Sequence, residues 1–216
     1  MTEREIDHEA AAETGGGSPG ESRESPYSDD ECRRMLTIAR GAAAAALRGE
    51  PFVEKAAPNE VYLVEPRGCF VTLTGPAGEL RGCIGTFDDA RPLIHNLIDM
   101  AGEATRDPRF VDAPVTLEEL DRLNVELSIL TPREPIEDPT AMEIGRDGVY
   151  IVGRIGGRRV GGCFLPEVAA EQGWDAETTL SACCAHKMGL APDAWRPPTR
   201  LQFFRFQSIK VSDEPR

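Results

Sequence analysis

The sequence predicts an α+β fold, with a largely antiparallel or mixed sheet flanked by helices and a smaller lobe. Three observations predict it. Apolar residues between 32 and 47 recur at three- and four-residue spacing, the period of an amphipathic helix. Runs such as Phe70-Val71-Thr72-Leu73 are rich in β-branched and aromatic residues and end in Gly/Pro turns. Helices and strands interleave through hairpin-length connections, without the regular strand–helix–strand units of a parallel sheet.

In chain order, Ser28 and Glu31 form a capping-box pattern ahead of Cys32, Met35, Leu36, Ala39, Ala43, Ala46 and Leu47, and Gly49 and Pro51 close this helix. Residues 68–74 and 80–85 read as two strands joined by Gly75-Pro76-Ala77-Gly78, a hairpin. Pro92 is the expected first residue of the next helix, with Leu93, Leu97, Ala101 and Ala104 on one face. Asp107-Pro108 ends it, because a residue before proline avoids the helical region. Thr116 and Glu119 give a second capping-box signal for a short helix through Leu120. Leu123 to Ile129 alternates, which predicts a strand with one wet face. Residues 132–139 read as a loop and a lobe boundary. Val149–Val152 and Val160–Leu165 are expected strands around the Gly153–Gly157 turn region, followed by a short helix from Pro166 to Gln172. Asp175 caps a longer helix that stops at Gly189, and Leu201–Val211 supplies a final strand.

The chain of 216 residues has a formal charge of −13, and residues 1–31 carry −8 of it. Residues 1–27 lack the apolar mass needed to offset ordering entropy, so they are expected to form a disordered acidic tail before a domain over 28–212. An acidic surface repels phosphate backbones, so nucleic acid is not an expected partner. No apolar run is long enough for a bilayer span and the N-terminus does not read as a secretory signal, so no membrane association and a cytoplasmic location are expected. The six cysteines lie scattered in apolar segments and read as reduced thiols. No Cys-x-x-Cys pair occurs and only three histidines are present, so neither a metal nor another cofactor is expected.

Leu80-Arg81-Gly82-Cys83-Ile84-Gly85-Thr86-Phe87 is similar to the signature of the AMMECR-type domain family. In the same order come Phe70–Leu73, Asp107-Pro108-Arg109-Phe110, Val125–Thr131, Leu165–Ala169, Gly173-Trp174-Asp175, Lys187-Met188-Gly189-Leu190 and Trp195. The resemblance spans about 30–210, and departs from the family's usual pattern at Glu167 and Met188. It implies a compact α+β domain with a smaller lobe. Bacterial and archaeal relatives look like companions of Memo-type and radical SAM proteins, in a grouping called AmmeMemoRadiSam, of which this chain would be the A component. The resemblance implies a neighbourhood and no particular reaction.

The residues around the motif permit chemistry. Strand alternation puts Leu80 and Ile84 towards the core and leaves Arg81 and Cys83 together on the other face. A guanidinium one strand repeat from a thiol favours the thiolate, which makes Cys83 a candidate nucleophile. Gly82 and Gly85 remove side chains that would block close approach to the backbone, and Thr86 continues this wall. Asp107 and Arg109, flanking Pro108, either orient a polar ligand, cap chain ends or pair with each other. The bland alternative for the motif is a buried small cysteine beside glycines that admit a neighbouring helix. A cysteine nucleophile needs a base, and His95 and His186 offer themselves only weakly. Two functions stand open: binding a small molecule or peptide in a cleft beside Arg81, Gly82, Cys83, Gly85 and Thr86, with or without catalysis, or serving as a non-catalytic adaptor that docks Memo-type and radical SAM partners.

Overall fold

The structure is a computed structural model that describes residues 25–213; the expected acidic tail lies outside the described residues except for its last three. Two compact units divide the chain, one made of residues 25–131 and 209–213, the other of 132–208. Among the described residues no helix is long and apolar enough to cross a membrane.

The first unit begins with helix α1 (Asp29–Arg48). Glu31 donates its N–H to the Ser28 hydroxyl and returns its carboxylate to the Ser28 N–H at 2.8 Å, the reciprocal cap that the sequence predicts. Gly49 ends the helix at φ 70°, a left-handed conformation that glycine adopts without a Cβ penalty. A short turn α2 (Val61–Val64) leads to β1 (Cys69–Thr74) and β2 (Leu80–Thr86), antiparallel across the Gly75–Gly78 turn. Helix α3 (Leu93–Ala104) follows. Pro92 is not its first residue: it is held extended (φ −51°, ψ 139°) by a bridge to Pro66, so the helix starts one residue later. After α4 (Leu117–Leu120) come β3 (Asn124–Leu130) and the last strand, β8 (Ser208–Ser212), giving the sheet order β2-β1-β3-β8.

One face of this sheet packs on the helices. Val71, Leu73, Val125, Leu127, Ile129 and Val211 meet Met35, Ile38 and Ala42 of α1 and Leu93, Leu97 and Ala101 of α3 in one buried cluster. Gly82 lies on this side too. A Cβ there would overlap the Ala104 carbonyl oxygen at the end of α3, so the glycine is required by helix–strand approach.

The second unit carries the sheet β4-β7-β5-β6, from β4 (Glu134–Ile136), β5 (Gly148–Ile155), β6 (Arg158–Phe164) and β7 (Gln202–Phe206). Gly156 and Gly157, both at positive φ, join β5 to β6 in a two-residue turn that suits the strand twist. Helices α5 (Pro166–Glu171) and α6 (Ala176–Ala182) follow, the latter widening into a π-helical turn at Cys183–Lys187. Val149, Ile151, Leu180, Cys183, Trp195 and Leu201 belong to the core of this unit.

Two further readings of the sequence are corrected. The 132–139 segment contains the short strand β4, paired with β7. Leu201–Val211 is two strands, because the chain leaves one sheet after Phe206 and enters the other at Ser208.

Candidate functional site

Cys83 sits in β2, the edge strand of the first unit's sheet, on the face turned away from the helices. It is half-buried, as is Cys32, whereas Cys69, Cys163, Cys183 and Cys184 are buried; all six are free thiols. Burial pushes the Cys163 thiol up to about 12, against the opposing pull of Lys187, and raises Cys69 and Cys183 as well.

The backbone of Cys83 points outward from the sheet edge and is captured by the loop after α3. Its N–H donates to Asp107 Oδ2 at 2.9 Å, and its carbonyl accepts from Arg109 Nη2 at 3.1 Å. Asp107 is only 3% exposed. Its carboxylate accepts the Arg109 N–H at 3.0 Å and the forked guanidinium at 2.6–3.2 Å. Burial alone would raise the Asp107 pKa, but these hydrogen bonds from Arg109 and Cys83 outweigh it and hold the carboxyl below the usual range. Asp107 and Arg109 thus stand where a further strand would pair, and close the edge at Cys83.

Arg81 stands at the register shift between β1 and β2, where the expected strand alternation is interrupted, and its charge is directed away from Cys83. Its guanidinium takes the Glu119 carboxylate, donates to the Ala113 carbonyl at 2.9 Å and lies 5.6 Å from the centre of the Phe110 ring. Glu119 therefore serves Arg81, while the Glu119 N–H donates to the Thr116 hydroxyl at 3.2 Å. The guanidinium next to Cys83 is that of Arg109, which is kept charged chiefly by its hydrogen bonds to Asp107, with burial opposing and Cys83 contributing a smaller part. Gly85 is held by the Phe70 ring, which a Cβ would overlap, and the Thr86 hydroxyl accepts the Asp88 N–H at 3.1 Å.

His95 is exposed on α3, and His186 lies in the π-helical turn of the other unit.

Across the sheet the structure adds residues that the sequence reading missed. Thr72 on β1 is directly opposite Cys83, and its hydroxyl donates to Cys83 Sγ at 3.3 Å. Glu126 on β3 is opposite Thr72. Lys210 of β8 donates to Glu126 Oε1 at 2.7 Å and to Ser128 Oγ at 2.8 Å. A polar row Cys83–Thr72–Glu126–Lys210 therefore crosses four strands on the face opposite the core. The Thr72 contact was not readable from the hairpin's loop length, because a register shift between Leu73 and Thr74 moves Cys83 from opposite Val71 to opposite Thr72. Nor was Lys210, because only the long-range return of β8 brings it there.

Two antiparallel four-stranded sheets, each with its own core, and a half-exposed thiol on a polar sheet face define an α+β protein with a candidate cysteine site. The chain belongs to the AMMECR1 family, whose model matches residues 36–211. It is similar to a protein of Methanothermobacter thermautotrophicus, 44% identical over 191 residues that cover 85% of this chain and 94% of the relative. A protein of Methanocaldococcus jannaschii is 43% identical over 201 residues, covering 85% and 95%. The crystal structure of an uncharacterised protein from Pyrococcus horikoshii superposes with a TM-score of 0.73 at 35% identity, covering 87% of this chain and 93% of that one.

Proposed function

We propose that the protein binds a small molecule or peptide on the polar sheet face at Cys83 and acts on it through the thiol, within a modification or biosynthetic pathway shared with Memo-type and radical SAM proteins. The observation that carries this reading is the Thr72 hydroxyl aimed at Cys83 Sγ of a half-exposed cysteine, with the strand beneath it clamped by Asp107 and Arg109. A hydrogen-bond donor at 3.3 Å stabilises negative charge on sulfur, and a clamped edge strand holds the sulfur in place as a partner approaches.

The alternative is an adaptor without chemistry. It is favoured by the exposure of Val53, Val61 and Val64 at 79%, 59% and 50% in the segment before β1, apolar surface that a docking partner would cover.

Time-resolved alkylation of the folded protein with N-ethylmaleimide, read by peptide mass mapping, separates the two. Cys83 is expected to label faster than Cys69, Cys163, Cys183 and Cys184, and Cys83→Ser is expected to fold. If Cys83 labels as slowly as the four buried thiols, or Cys83→Ser unfolds the protein, the cysteine is packing and the adaptor reading replaces this one.

A further inference from the structure

Strands β5 and β6, with the segment 194–206 that ends in β7, carry six arginines and no acidic residue, in a chain whose formal charge is −13. Arg196 and Arg205 are paired with Glu177 and Glu134. Sheet pairing gathers three of the others into one row. Arg154 is directly opposite Arg159, and Arg200 lies two residues before Gln202, which is opposite Val152. A Cβ at Gly153 would come within 3.3 Å of the Arg200 carbonyl oxygen, so the backbone of Arg200 runs beside β5 next to Arg154. All three arginines are exposed, and among the described residues the guanidiniums of Arg154 and Arg200 have no carboxylate partner.

We propose that this face of the second unit is a binding surface for single-stranded nucleic acid. It is independent of Cys83, which belongs to the first unit.

Like charges directly opposite each other across a strand pair repel, so Arg154 and Arg159 are destabilising neighbours until they share an anion. At one strand spacing between neighbours the row extends over about 10 Å, and each guanidinium presents a fork of donors that suits phosphate oxygens. The net charge of the chain argues against nucleic acid only as a sum over all residues. At physiological ionic strength exposed charges act over about 8 Å, and within strands β5, β6 and the 194–206 segment every charge is positive.

The rest of the face decides for a nucleic acid over an acidic peptide. Further along β5 on the same face, Tyr150 is opposite Phe204, both half-buried, with ring centres 6.3 Å apart. Between the aromatic row and the arginine row lie Gly161, Val152 and Gln202, side by side on three strands. Gly161 carries no side chain, which leaves a low floor beside Val152, and the exposed Gln202 carboxamide both donates and accepts. Rows on one face follow at about 7 Å, so a base resting on the middle row has its phosphates at the arginines and an aromatic ring on its other side. Carboxylates would use the arginines alone. An unpaired strand uses all three rows, as sheet surfaces that stack bases on aromatic rings do.

Fluorescence anisotropy of a short labelled oligouridylate with the full-length protein tests this. The logarithm of the association constant is expected to fall against the logarithm of salt concentration with a slope of about −2, three phosphates at about 0.7 each for a single strand. Arg154→Gln and Arg200→Gln, both changes of exposed side chains, are each expected to reduce that slope by about 0.7. Arg158 is the control. It is opposite Ile155, on the other face of the same hairpin, so Arg158→Gln removes an equal charge and is expected to leave the slope unchanged. Binding of either the oligouridylate or the matching oligodeoxythymidylate supports the proposal, and a duplex of the same length is expected to bind more weakly because its bases are already stacked.

Absence of salt-dependent binding to both single strands overturns the proposal. So does an equal loss with Arg158→Gln, which makes the attraction one of net charge, and so does a duplex that binds as tightly as the single strand. A polyglutamate peptide that binds more tightly than the oligonucleotide, and weakens with Arg154→Gln, assigns the face to an acidic protein instead.

Discussion

At the level of single residues, Asp107 and Arg109 carry the most information about what the sequence could and could not reveal. Their types suggested ligand orientation, capping or a mutual ion pair; the structure shows the ion pair, and both residues also hold the backbone of Cys83. No local pattern could choose between those readings, because Cys83 precedes Asp107 by a whole helix. Asp107 should therefore matter to stability. Asp107→Asn would remove a buried anion from the partly exposed Arg109 guanidinium and from the Cys83 N–H, and is expected to cost about 1–3 kcal/mol near neutral pH, measured by urea unfolding. The pH dependence has a definite sign. The folded carboxyl titrates below its unfolded value of about 3.9, so its contribution is complete above about pH 4 and is lost as the pH falls through the folded value. The gap between wild type and Asp107→Asn should narrow on acidification through that window. A gap that is constant from pH 7 to pH 2 would mean that the charge of Asp107 contributes nothing.

Among the elements, those with a local signature were legible and those made by pairing were not. The Ser28–Glu31 cap, the Gly49 stop and the β1–β2 hairpin all follow from neighbouring residues, and all are present. Strand β4 was hidden because Glu134-Pro135-Ile136 contains a proline and is only three residues long; its pairing with β7 makes it a strand. The split of Leu201–Val211 had a faint signal. Leu201 and Phe203 are buried at odd positions, then Phe206 at an even one, then Val211 at an odd one again, so the period-2 pattern slips on both sides of the break. Gly82 shows why the motif of β2 needs its glycines. Gly82→Ala would drive a methyl group into the Ala104 carbonyl, backbone that cannot rotate aside, and is expected to destabilise by about 1–3 kcal/mol or more. The same change at Gly102, where a Cβ would come no closer than 3.4 Å to Ala46, serves as the control and is expected to be mild or stabilising. Equal losses at the two positions in a thermal unfolding comparison would refute the close-approach account.

For the whole molecule, the chain order raises a question about what the cysteine face requires. The second unit, residues 132–208, is inserted between β3 and β8, which are neighbours in the first unit's sheet. The sequence anticipated a boundary near 132–139 but not the return, since the single strand expected over Leu201–Val211 gave no sign of changing sheets. The two cores share no member: the first draws on residues up to Ile129 and then Val211, the second only on residues between 136 and 203. A unit with its own core and short, neighbouring chain ends should fold alone. The β8 contribution must be kept, because Asp213 ties Arg40 and accepts the Val125 N–H at 2.9 Å, while Lys210 completes the polar row. Replacing residues 132–207 by an Asn-Gly turn would join Thr131 to Ser208 as an antiparallel hairpin, using the residues that such a turn favours. The shortened protein is expected to unfold cooperatively in urea, with a lower midpoint because a smaller domain buries a smaller share of its surface. Its Cys83 should label at a rate close to that of the full chain if the thiol and its surroundings belong to the first unit, as the Thr72, Asp107 and Arg109 contacts indicate. A shortened protein that folds cooperatively but labels Cys83 many times faster or slower would show that the inserted unit shapes access to the sulfur. Loss of cooperative unfolding would show that the first core depends on the insertion, against the separation of the two clusters.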